Sequence, residues 1–404
     1  NNVVIEGDFS NITSNSSITL YESTLTKGNI SFIFYLYIDG NEENDLNMMD
    51  KNITGNITIE ANAGTNLAEH ITNLYTSATK TPKTVNSIEY NLAPSEFLMN
   101  DRLGSMSTGI DAGNIRYYGA TPNNYIYFNC DDYSNQTSST CETWRIIGVF
   151  NGKVKIMRGS QIGTYSWDNK NASTGAETAQ GKNDWSTARL MKLLNPSDYY
   201  TIDSNDNGNG QSLYWNRKSG TCFAGQNNAT KTCDFTSTGI KNDITRNMIS
   251  ESMWYLRGWN SNSVYSDQIY NYERTTGSVY NETTRDKSWT GKIALAYPSD
   301  YGYAADLSQC TIQLSSYNDS TCTSNNWMKT IITNNGGNPG WLLTSHSGYS
   351  YYAWLVYSSG NVRDYNYTGT YDAYGAAPVL YLNSNISIKE DTNGTTSNPF
   401  KLIP

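Results

Sequence analysis

Histidine is nearly missing from this chain: His70 and His346 are the only two among 404 residues. Two residues so far apart assemble neither a zinc constellation nor a Ser–His–Asp arrangement. A carboxylate pair for acid–base work stays open, since the sequence alone does not place two together; without a histidine constellation the expectation is a protein that is not an enzyme. Charge is scarce as well. Asp, Glu, Lys and Arg make up 16% of the chain, against about a quarter in ordinary domains. The balance is acidic, −9 overall, and lacks the clustered Lys and Arg of a nucleic-acid footprint. No apolar run approaches the roughly 18 residues of a membrane span, so no span is expected. No basic-then-apolar leader opens at Asn1, so an export signal is expected to have been removed or to lie outside this chain.

What replaces charge and aliphatics is amides, hydroxyls and rings. Tyr contributes 32 residues and Trp 10, and Asn alone is about 12% of the chain. Tyr and Trp bury large amphipathic surfaces and build both cores and contact faces. Thirteen Asn-x-Ser/Thr sequons occur, among them Asn11, Asn52, Asn56, Asn135 and Asn366; they are read here as a product of composition rather than as glycosylation sites.

The six cysteines fall in three pairs, Cys130/Cys141, Cys222/Cys233 and Cys310/Cys322, separated by long cysteine-free stretches. This spacing favours three local bridges, and free or metal-bound thiols are the alternative. The metal reading lacks CxxC spacing and histidine partners. Bridges imply an oxidising compartment, so the expected location is extracellular, at a cell surface.

Along the chain, residues 1–62 read as a β-sandwich segment. Ser17–Tyr21, Phe32–Ile38 and Asn52–Glu60 have strand character. Asn2-Val3-Val4-Ile5 is a candidate donor strand for polymerisation, or an ordinary edge strand. Residues 63–109 read as a helix, carried by Leu67, Ile71, Leu74 and Tyr75, followed by a Thr/Lys/Pro-rich linker at 76–85. Residues 110–404 read as a loop-rich domain. Strands 144–150 and 153–157 flank Asn151-Gly152, a type I′ hairpin signal. One helix is expected at 186–195, capped by Ser186 or Asp184, and a second at Asn242–Leu256 with Ile244, Met248, Ile249 and Met253 on one stripe. Late strands are expected at Lys292–Tyr297, Trp341–Thr344, Ala353–Tyr357 and Val379–Leu382. The fold class is therefore mainly β with α+β character, with two short helices and local disulfides.

Five phrases carry a resemblance. They are Trp144-Arg145-Ile146-Ile147, Tyr165-Ser166-Trp167-Asp168, Tyr297-Pro298-Ser299-Asp300-Tyr301-Gly302-Tyr303, Trp341-Leu342-Leu343-Thr344, and Ala377-Pro378-Val379-Leu380-Tyr381-Leu382 followed by Asn398-Pro399-Phe400. Together they resemble exported surface proteins of gut Firmicutes that end in a C-type-lectin-like domain. That fold is shared with formylglycine-generating enzymes and the targets of diversity-generating retroelements. The resemblance spans about residues 86–404. Residues 1–62 are more loosely similar to camelysin- and TasA-like fibre proteins. The resemblance implies a binding module, with a variable stretch corresponding to Ser345–Tyr374. The strand after it reads Gly375-Ala376-Ala377-Pro378 and lacks the arginine of diversified members.

The stretch also reads as a recognition surface on its own residues. The candidates are His346, Tyr349, Tyr351, Tyr352, Tyr357, Arg363, Asp364, Tyr365, Asn366, Tyr367, Tyr371, Asp372 and Tyr374. Tyrosine among Ser, Gly and Asn gives rigid contact area with adaptable hydrogen bonding, the mixture antibodies use. Packing of alternate tyrosines in a core is the competing reading, and Trp354 and Val356 alternate like inward strand residues. The expected partner is a protein or glycan on another cell, phage or host surface. Self-association into a filament or pilus through residues 1–62 is the alternative role. No cofactor is expected; Asp203, Asn205 and Asn207 match the opening of a calcium loop, but Tyr214 stands where its bidentate glutamate belongs.

Overall fold

Asn151 and Gly152 both take positive φ, 51° and 75°, the backbone of a type I′ turn. The flanking residues pair as the expected hairpin, Glu142–Phe150 with Lys153–Arg158. The computed structural model describes residues 64–101, 113–196, 198–199, 210–364 and 369–404. The chain divides into two units at Ala63/Gly64. The strands and donor segment expected within residues 1–62 lie outside the described residues, as do Asp203, Asn205 and Asn207.

Around the hairpin grows an antiparallel sheet. Its strands run Ile293–Ala294, Val379–Tyr381, Lys153–Arg158, Glu142–Phe150, Ile115–Tyr117, Leu98–Asn100, Ile88–Ala93 and Thr81–Val85. Tyr125–Phe128 lies beside the first half of Glu142–Phe150. A Cβ at Gly148 would stand 2.2 Å from the Ile115 carbonyl oxygen, so glycine is what allows Ile115–Tyr117 to pair there. A second sheet holds Val362–Arg363, Ala353–Val356, Gly340–Ser345, Ala373–Gly375 and Thr164–Ser166. Two buried tryptophans stitch its strands reciprocally: Trp341 Nε1 donates to the Tyr165 carbonyl (2.8 Å) and Trp167 Nε1 to the Leu342 carbonyl (3.1 Å). Trp354 and Val356 are buried, but so are Ala353 and Leu355, so this strand is covered on both faces and shows no alternation.

The described residues are thus mainly β, in several sheets. Four expectations need correction. The linker read at 76–85 is the end of helix Leu67–Ser77 followed by strand Thr81–Val85, whose register with Ile88–Ala93 makes it the sheet's edge. Pro82 and Lys83 are tolerated there because an edge strand leaves one side unpaired. The helix read at Asn242–Leu256 stops at Met248. Residues Ser252–Tyr255 pair with Ser288–Gly291 instead, burying Trp254 and exposing Met253, while Ile244 is also exposed. The strand read at Lys292–Tyr297 keeps only Ile293–Ala294, because Tyr297 begins the helix Pro298–Tyr303. Finally, two helices are too few. Short helices at Ser266–Asn271, Pro298–Tyr303, Ser320–Ser324 and Trp327–Ile332 arise inside stretches read as loop, two of them started by side-chain caps from Asp319 and Asn326.

All three local disulfides are formed, Cys130–Cys141, Cys222–Cys233 and Cys310–Cys322. The first closes the loop between Tyr125–Phe128 and Glu142–Phe150; the second ties the hairpin Ser219–Phe223/Thr230–Asp234. Among the described residues, no helix is long and apolar enough to cross a membrane.

Within the largely apolar core the large sheet also buries an ionic cluster. Arg116 Nε donates to Asp101 Oδ2 (2.6 Å), and Arg116 Nη1 donates to Asp300 Oδ1 (3.0 Å). Lys155 Nζ pairs with Asp300 Oδ2, and Arg274 Nη1 with Glu273 (2.6 Å). The Asp101, Arg116, Lys155, Glu273 and Asp300 side chains have at most 1% of their surface exposed. Glu273 also accepts from the Ser299 backbone and hydroxyl. Three cations face three carboxylates here, so the buried charge balances.

Candidate ligand-binding surface

The turn between strands Gly340–Ser345 and Ala353–Val356 carries His346, Tyr349, Tyr351 and Tyr352. Its ends close on each other, since the His346 N–H donates to the Tyr352 carbonyl at 2.9 Å. Its outer side is met by the chain leading into Ala373–Gly375. Tyr352 bridges Gly369, and the Thr370 N–H donates to the Tyr351 carbonyl (2.8 Å). Thr370 is fixed in turn: its carbonyl accepts from the Asp168 N–H, and its hydroxyl donates to the Gln180 carbonyl.

One buried residue organises the whole turn. The Asn183 side-chain amide donates to the carbonyls of His346 (3.0 Å), Tyr349 (2.8 Å) and Tyr352 (2.7 Å), and its backbone N–H to that of Ser350 (2.9 Å). Arg285, paired with Glu177, adds Nη2 to the same Ser350 carbonyl (3.0 Å). Neither residue was singled out from the sequence, because an Asn in a chain this rich in Asn carries no signal. The same holds for Trp259 and Tyr272, which stack at 4.0 Å and 3° beside the turn, with the Ser347 N–H donating to the Trp259 carbonyl.

On this frame three rings form a cluster. Tyr351 and Tyr352 meet edge to face at 4.6 Å, Tyr349 lies 5.0 Å from Tyr352, and Tyr349 lies 6.2 Å from Tyr351. Tyr349 is 48% exposed; Tyr351, Tyr352 and Tyr371 are half-buried. Burial, reinforced by neighbouring tyrosines, pushes the Tyr352 hydroxyl up to about 12. Burial and Asp372 raise Tyr371, and they take Tyr374 to about 12. These phenols stay protonated at neutral pH and act as hydrogen-bonding groups on apolar rings, not as bases or nucleophiles. Asp372 is itself raised by burial and accepts from the Tyr374 hydroxyl (3.4 Å). Tyr374 packs its ring edgewise on Trp341, and Arg363 lies 4.0 Å over the Tyr357 ring.

Two candidates are not surface contacts. His346 is buried: its Nδ1 accepts from the Gly348 N–H (2.9 Å) and the ring also bonds the Asn260 backbone. Burial draws its pKa down to about 4, so it is a neutral staple inside the turn. Asp364 is also buried, at 1% exposure. Tyr365, Asn366 and Tyr367 lie outside the described residues. The candidate calcium loop does too, and Tyr214, where its glutamate belongs, is buried in the core beside Phe235. Among the described residues no group of three His, Cys, Asp or Glu is placed to hold a metal ion. Comparison of the chain with protein-family models, curated proteins and solved structures gives no match.

Proposed function

We propose that this chain is an extracellular binding protein that holds an external ligand, a protein or a glycan, against the face made by Tyr349, Tyr351, Tyr352 and Tyr371. The observation that carries this reading is the contrast between exposed rings and buried braces. Among the described residues Tyr349 is one of four large hydrophobic side chains left exposed, yet the backbone beneath it is held by Asn183 and Arg285. A face ordered before binding loses less conformational entropy on contact. Aromatic rings with one polar handle suit both sugar rings and protein anchors. The three disulfides favour an oxidising, extracellular setting, and the large sheet with a smaller sheet bearing the tyrosine turn is in keeping with a C-type-lectin-like domain. The test is a screen of the whole chain on immobilised glycans and on extracellular proteins, repeated with Tyr349→Ala/Tyr351→Ala. Ligands captured by the native chain and lost by the folded double variant support the reading; equal capture by both overturns it.

A further inference from the structure

We propose that Lys155 and Asp300 join covalently, through an amide between Lys155 Nζ and Asp300 Cγ that locks the central sheet to the helix Pro298–Tyr303. The two side chains are in direct contact and neither has any exposed surface. They come from elements 145 residues apart in sequence, so the contact is a product of the finished fold. A buried ammonium needs three acceptors, and Asp300 Oδ2 is its one hydrogen-bond partner among the described residues. The rest of the shell is aromatic: Tyr297, Trp254, Phe150 and Tyr381 place their ring centres 4.5 to 5.4 Å from Nζ. Such a cage stabilises a cation only partly and keeps water away from the pair.

The surroundings suit condensation. Arg116 Nη1 bonds Asp300 Oδ1 and the Tyr297 N–H bonds Oδ2 (both 3.0 Å), so the carboxyl is oriented and polarised. Burial draws the Lys155 amine down, to about 8, while for Asp300 the charges of Lys155 and Arg116 outweigh burial and hold the carboxyl low, so the proton transfer that frees the nucleophilic amine runs uphill and is drawn on by the loss of water. A proton passes from the ammonium to Asp300, and the neutral Nζ attacks Cγ. Arg116 stabilises the charge that develops on Oδ1. The Cγ–Oδ2 bond breaks, and Oδ2 leaves as water carrying two of the three ammonium hydrogens. Nζ keeps the third, and no oxidant, reductant or co-reactant is consumed. The remaining charges stay balanced as two directly bonded pairs, Arg116–Asp101 and Arg274–Glu273. Loss of water from an enclosed site, with both reactants held in contact, favours the amide over the separated ions.

The experiment is mass spectrometry of the whole chain after denaturation, reduction and alkylation of the cysteines, followed by proteolytic mapping. The expected result is an intact mass one water below that of the sequence, and one branched peptide joining the Lys155 segment to the Asp300 segment. The variant Lys155→Met is expected to show its full sequence mass and both segments linear. A native chain at full mass overturns the proposal. So does a one-water loss found with linear peptides only, since imide formation at an Asp or Asn gives the same mass change.

Discussion

Asn183 donates its backbone N–H to Ser350 at 2.9 Å, and its side chain reaches the carbonyls on both sides of that residue. One buried amide therefore holds the start, middle and end of the turn that presents Tyr349. Replacing it with alanine takes the side-chain donor from the His346 and Tyr349 carbonyls, while the Tyr352 carbonyl keeps the His346 N–H. Each buried group left without a partner costs about 1–3 kcal/mol. Asn183→Ala is expected to lower the denaturant midpoint and to weaken binding at the tyrosine face as well. A urea titration beside a binding isotherm checks both; an unchanged midpoint would mean the turn holds itself.

Exposed rings should behave differently. Tyr349→Ala removes a side chain that is 48% exposed and whose main contacts are other surface tyrosines and His346. Surface substitutions away from buried networks usually change stability by no more than about 0.5 kcal/mol, whereas an aromatic anchor carries about 2 kcal/mol or more of binding. Affinity is expected to fall by tenfold or more while the melting temperature stays put. A melting temperature that falls with affinity would make Tyr349 a packing residue.

His346 makes the turn sensitive to acid. Its folded pKa is depressed to about 4 from an ordinary value of 6.5, because burial disfavours the charged ring more than the Asn260 backbone bond favours it; protonation would also cost the Nδ1 acceptor its bond from Gly348. Above about pH 6.5 both folded and unfolded forms are neutral and its contribution is complete. As pH falls from 6.5 to 4 the unfolded chain takes up the proton first, so stability declines across that window. Melting curves of native and His346→Asn chains at pH 7, 5 and 4 isolate this part. The native chain should lose more over the window; parallel losses would remove His346 from the account.

Much of this frame is legible in the sequence, and the reasons are local. Asn151-Gly152 dictates a turn through backbone sterics, and cysteine spacing implies the bridges, so both expectations hold. Ile244, Met248 and Met253 share helical spacing and so read as one helix over Asn242–Leu256, whereas the pairing of Trp254 with Trp289 is set by a strand over thirty residues away. His346 in a polar, tyrosine-rich stretch reads as a surface residue; its burial depends on Asn260 and Gly348 folding around the ring. The ionic cluster was invisible for the same cause, since Asp101, Arg116, Lys155, Glu273 and Asp300 converge from distant strands and helices.

Disulfides should contribute separately. Cys310–Cys322 closes a loop of 12 positions, for which chain entropy predicts about 3 kcal/mol. The paired substitution Cys310→Ser/Cys322→Ser is expected to lower unfolding free energy by an amount of that order, with the tyrosine face still able to bind. Chemical denaturation at constant m-value measures it; a cost near zero would show that the loop is constrained equally well without the bridge.

The central claim is that Tyr349, Tyr351 and their neighbours form a binding face and not a packed interior. The most direct test measures affinity for a captured ligand in three folded chains: native, Tyr349→Ala/Tyr351→Ala, and Ile244→Ser as an exposed control on another element. The account predicts that the double variant loses tenfold or more in affinity while the Ile244 variant matches the native chain. Equal affinity in all three would contradict it.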